Sequence, residues 1–111
     1  MEEQKTFRLT KEQVVSIPDN INEAIITKIE IKNAIELFGD KTKNKDQVLL
    51  VIHFEAKEYG IVGNDIMTYY ENNILDRSKL GKFLAEYETL EVGKIIKLER
   101  DLKTDFYKIK L

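Results

Sequence analysis

Apolar residues recur along this chain in two rhythms, every second residue over most of its length and every third or fourth in one place. That place is Asp76 to Leu90, DRSKLGKFLAEYETL, where Leu80, Phe83, Leu84 and Tyr87 fall at i, i+3, i+4 and i+7. The spacing puts all four on one face and predicts an amphipathic helix. Asp76 or Ser78 can cap its N-terminus by accepting from an unpaired backbone N–H. Gly81, inside the helix, costs about 1 kcal/mol relative to Ala, which argues for a close approach to a neighbouring strand.

The other segments alternate with period two. Glu23 to Phe38 carries Ile25, Thr27, Ile29, Ile31, Asn33, Ile35 and Leu37 at odd positions, with Lys28, Glu30, Lys32 and Glu36 at even ones. This predicts a long, half-buried strand that bends near Asn33 and Ala34. The four-residue spacing of Ile21, Ile25 and Ile29 would suit a helix, but the sustained alternation favours the strand. Gly39 to Asp46 is a polar loop. Gln47 to Lys57 is a second strand with Val48, Leu50, Ile52, Phe54 and Ala56 on one face; Leu49 and Val51 on the other need cover, from an N-terminal arm or a second copy. Of two candidate turns, Gly63-Asn64 is taken as the reversal and Gly60 as a bulge, so that Ile66 to Glu71 is the third strand. Lys94 to Arg100 and Phe106 to Leu111 are the fourth and fifth. The predicted core is Ile29, Ile31, Ile35, Val48, Leu50, Ile52, Phe54, Leu80, Phe83, Leu84, Ile96, Leu98, Tyr107 and Ile109.

Residues 1–20 form an arm ahead of a barrel domain at 21–111. Thr10 and Gln13 have capping-box spacing, so one helical turn is expected near Lys11 to Val15, stopped by Pro18. The arm's Phe7, Leu9, Val14, Val15 and Ile17 are expected to pack on the barrel or on a partner subunit.

Composition narrows the chemistry. With 111 residues the chain is one domain. It has no cysteine, which excludes disulfides, a thiolate metal site and a cysteine nucleophile. No apolar run approaches the ~20 residues of a spanning helix and no signal core opens the chain, so the expected location is cytoplasmic, without a membrane partner. Eighteen basic residues against 20 acidic ones give a net charge of −2, so a polyanion could be held only by a local patch.

The order strand, strand, strand, helix, strand, strand resembles the OB-fold, a five-stranded Greek-key barrel with one helix between the third and fourth strands. The resemblance covers Glu23 to Leu111. It rests on the long bendable first strand, the helix at LGKFLAEY and the VGK turn before the fourth strand. The layout PDNINEAIITKIE, SKLGKFL, VGKIIKL is also similar to small phage and archaeal-virus proteins.

The residue patterns point away from an enzyme. The one histidine, His53, lies on a strand beside Phe54, and no HExxH, GxSxG or GxxxxGK[ST] motif is present. No cofactor or metal is expected. Single-stranded DNA or RNA binding is the leading expectation, because such ligands are held by aromatic rings interleaved with cations. The candidate residues are Lys41, Lys43 and Lys45 in the first loop, His53, Tyr59, Tyr69 and Tyr70, then Lys97, Arg100, Lys103, Phe106 and Lys108. One of Tyr69 and Tyr70, taken as neighbours in a strand, should face out. The alternative is a protein-interaction or assembly module, including a homodimer.

Overall fold

In the computed structural model residues 6–111 are described. Five antiparallel strands form one sheet in the order β3-β2-β1-β4-β5, curled into a nearly closed barrel. They are β1 (Asn20–Asn33), β2 (Val48–Ala56), β3 (Ile61–Thr68), β4 (Ile95–Arg100) and β5 (Tyr107–Ile109). Helix α1 (Ala34–Phe38) lies between β1 and β2, and α2 (Lys79–Tyr87) between β3 and β4. The topology is consistent with the OB-like barrel expected from the order of elements. No helix among the described residues is long and apolar enough to cross a membrane.

Strand β1 is long because it serves both halves of the sheet. Its beginning pairs with β4 and the stretch from Ile25 to Asn33 with β2. Two register irregularities, between Ile21 and Ala24 and between Ile26 and Lys28, fall along it. Each adds a residue to the alternation, so the inward positions run Ile21, Ala24, Ile26, Ile29, in steps of three where the bulges lie. The strict odd-position pattern is therefore corrected: Ile25 is exposed, and Ile29 is the last residue of β1 packed on the core. Ile31 and Ile35, expected inside, are exposed. The expected bend near Asn33 is the start of α1, whose Ala34 amide donates to the Gln47 carbonyl at 2.9 Å.

Leu49 and Val51 are buried without help from the arm. They sit opposite Lys32 and Thr68, and opposite Glu30 and Ile66, in the two flanking strands. Cross-strand neighbours on the same face close over them. Over residues 6–18 the arm has no regular element apart from a 3₁₀ turn at Lys11–Gln13, where Gln13 Oε1 accepts from the Thr10 amide at 2.7 Å. Phe7, Leu9, Val14 and Val15 keep between 69% and 84% of their surface in solvent. These four side chains thus do not pack on their own barrel, whereas Ile17, 39% exposed, is partly covered.

The reversal before β3 is also corrected. The chain turns at Lys57–Tyr59, with Gly60 in the left-handed region at φ +67°, where a side chain would be strained. Gly63 and Asn64 lie inside β3, and a Cβ on Gly63 would come within 3.1 Å of the Phe54 ring.

Helix α2 covers the core with Leu80, Phe83 and Tyr87, all buried. Its N-cap is Ser78, whose Oγ accepts from the Gly81 amide at 3.0 Å. Gly81 has no room for a Cβ, which would overlap the Leu75 carbonyl oxygen. The close approach is to the chain entering the helix, not to a strand.

No backbone ladder joins β3 to β5; side chains span the seam. Asp65 of β3 is buried, and its Oδ2 accepts from the Ile109 amide of β5 at 3.1 Å. Its Oδ1 accepts from Lys79 Nζ of α2 and from the Ile66 amide. The Tyr87 hydroxyl donates to the Lys110 carbonyl at 2.6 Å and accepts from the Lys97 amide at 3.2 Å. Burial pushes the Tyr87 phenol above its ordinary range, partly offset by the Lys97 amide. Helix α2 is in this way fastened to β3, β4 and β5.

Candidate nucleic-acid interface

The loop from Gly39 to Gln47 is folded back on α1. The Lys45 carbonyl accepts from the Ile35 amide at 3.4 Å, and the Gln47 amide donates to the Asn44 carbonyl at 3.1 Å. These bonds fix the backbone of the loop while Lys43 and Lys45 extend into solvent. Across from them, the β2–β3 pairing runs one residue past the end of β3, the Tyr69 amide donating to the Val48 carbonyl at 3.0 Å. Tyr69 packs against the core. Tyr70 is 55% exposed and its hydroxyl accepts from Gln47 Nε2 at 3.4 Å. Both tyrosines follow the third strand instead of lying within it, and Tyr70 is the one facing out.

The space between is an open cleft of about 1000 Å³. Lys43, Lys45, Tyr69 and Tyr70 line it together. Four amide side chains, Asn44, Gln47, Asn72 and Asn73, line it as well, with the carboxylates of Asp46 and Glu71. Two cations against two carboxylates leave the cleft without net charge. Its resources are therefore a ring for stacking, amides that both donate and accept, and two lysines for phosphates.

The other predicted residues lie elsewhere. Lys41 is exposed on the same loop but does not line the cleft. His53 is on the outer face of β2, its Nε2 2.7 Å from Glu30 Oε1. That hydrogen bond is the main reason the Glu30 carboxyl is held below its ordinary range; partial burial opposes it, and Lys28 at 3.3 Å adds to it. His53 is thus committed to a structural partner. Tyr59 is half-buried against the core. Arg100 is engaged by Asp19 at 3.0 Å and Asp105 at 3.6 Å. The Lys103 amide donates to Asp101 Oδ1 at 2.9 Å, the largest cause of that carboxyl's lowered pKa. Lys97 and Lys108 are exposed on β4 and β5, the latter opposite Glu99. Phe106 is 76% exposed and belongs to a second groove, where the first half of β3 faces the start of β5.

The predicted residues are thus divided, four in the cleft and one in the groove, with the rest dispersed. The amides were missed, although Asn72-Asn73, one residue after Tyr69-Tyr70, was a legible signal. No group of His, Asp and Glu side chains suited to a metal ion occurs among the described residues. No protein-family model, curated protein or solved structure matches this chain. A barrel of this topology hosts many functions, so function has to be argued from the cleft.

Proposed function

We propose that this protein binds single-stranded nucleic acid, without catalysing a reaction, in the cleft between the β1–β2 loop and the segment after β3. The observation that carries the reading is the convergence of Lys43 and Lys45 with Tyr69 and Tyr70 on one open cleft from segments more than twenty residues apart. Tyr70 offers a base its exposed ring, held by Gln47. The lysines flank the path of the backbone, and the asparagines reach base edges, as amides do on splayed-out single strands.

The charge balance sets the expected strength. With two lysines contacting phosphate, the log–log dependence of affinity on salt should have a slope of roughly −1.4, since each contact contributes about −0.7 on single strands. Binding is therefore weak and only mildly salt-sensitive. Fluorescence anisotropy with labelled single-stranded DNA and RNA, at low and at moderate salt, tests it. Binding in low salt at tens of micromolar protein, weakened as salt is added, is the expected result; no binding in low salt rejects the proposal.

A second reading, self-association, has its own support: the arm holds at least four large apolar side chains in water, more than an isolated barrel has reason to keep exposed in one segment.

A further inference from the structure

The arm leaves the barrel under restraint. The Tyr107 hydroxyl donates to the Pro18 carbonyl at 2.7 Å, the Arg100 amide donates to the Asp19 carbonyl at 2.8 Å, and the Arg100 side chain pairs with Asp19. Pro18 itself has a fixed φ. These contacts hold the chain where it leaves the barrel, and beyond them Phe7, Leu9, Val14 and Val15 lie in solvent.

Tyr107, which holds the exit, also lines the groove between β3 and β5. This groove, about 410 Å³, has Phe54 at its base and Val62 and Phe106 at its rims, the last two 75% and 76% exposed. The β3 edge at Ile61–Asn64 pairs with β2 on one side only, and β5 pairs only with β4. Two unpaired strand edges flank an apolar trough, the geometry that accepts an added extended segment. In the arm, Thr6–Leu9 alternates, Phe7 and Leu9 on one side and Arg8 on the other.

We infer that the arm of one copy docks in the β3–β5 groove of a second, Phe7 and Leu9 filling the trough over Phe54 and the two copies exchanging arms reciprocally. The inference rests on the self-association reading and is independent of the nucleic-acid cleft. The apolar side chains of the arm lie in solvent and not in their own groove, and exchange of a segment between identical chains is a low-cost route to a two-fold dimer. Twelve arm residues and eight groove residues from each copy amount to the ~20–30 a side of a standard interface.

The absence of native cysteine makes crosslinking unambiguous. A Phe7→Cys chain and a differently tagged Val62→Cys chain are mixed and oxidised, and the full-length protein and its Phe7→Asp and Val62→Asp variants are followed by sedimentation across concentration. The expected results are a mixed disulfide joining the two tags, a dimeric mass for the native chain, and at least tenfold weaker dimerisation in either variant. A monomer at all concentrations overturns both the groove and self-association. A dimer indifferent to both substitutions overturns the groove alone. A Phe7→Cys/Val62→Cys double variant that closes its disulfide within one chain shows the arm in its own groove and overturns the exchange.

Discussion

Helix α2 and the cleft that precedes it in sequence are built on opposite terms. In the helix, Leu80, Phe83 and Tyr87 are almost wholly withdrawn from water, and the polar groups beneath it, Asp65 and the Tyr87 hydroxyl, are each bonded to at least two partners. In the cleft, Lys43, Lys45 and Tyr70 remain exposed, and the side chains of Asn44, Asn72 and Asn73 are exposed to solvent. The first arrangement lowers the energy of the fold. The second leaves surface whose interactions are still to be made, and the difference teaches which residues should change stability and which should change binding.

Phe83→Ala should break the helix side most severely. The ring is fully buried and 4.7 Å, centroid to centroid, from that of Tyr87, and removing it should cost roughly 3–5 kcal/mol in denaturant unfolding. Asp65→Ala comes next, at about 1.5–3 kcal/mol, because it removes charge-assisted bonds and strands the Ile109 amide. Tyr87→Phe, read in the same unfolding assay, should cost about 1–2 kcal/mol through the two bonds of its hydroxyl. Its pH dependence has a definite sign: with the phenol raised in the folded state, the protonated form is favoured by folding. Its contribution is fully present below about pH 10 and is lost as pH rises through the folded-state value, and the Phe variant should lack that alkaline loss. Gly81→Ala should destabilise by about 1 kcal/mol although Ala is the better helix former, because crowding the Leu75 carbonyl costs more than the propensity returns. Tyr70→Ala, the smallest effect on stability, should stay within about 0.5 kcal/mol while weakening single-strand binding by the ~1–3 kcal/mol of a lost stacking contact.

How much of this could be read from the sequence depended on whether a local rule was disturbed by a distant partner. The helix was legible because Leu80, Phe83 and Tyr87 repeat without interruption, and Ser78 stands where a cap belongs. The phase of β1 was not, because its two bulges answer to pairing with β4 and β2 rather than to anything within Asn20–Asn33. The turn was misplaced between two glycines of similar appearance; the left-handed φ of Gly60 and the Phe54 ring beneath Gly63 tell them apart. Asp65 was invisible as a seam residue, since a lone Asp in GND reads as turn chemistry. Lys43, Lys45, Tyr69 and Tyr70 were all named from sequence, but so were eight residues that lie outside the cleft. Alternation assigns a face, whereas convergence in space needs the register.

The central claim is that the cleft, and not α2 or the β3–β5 groove, receives the single strand. Amide chemical-shift mapping during titration with a short oligothymidylate tests it most directly. The account predicts shifts concentrated in residues 43–48 and 69–75, with Lys79–Tyr87 and residues 105–107 unmoved. Shifts centred on Phe106, or none at saturating oligonucleotide, would contradict it.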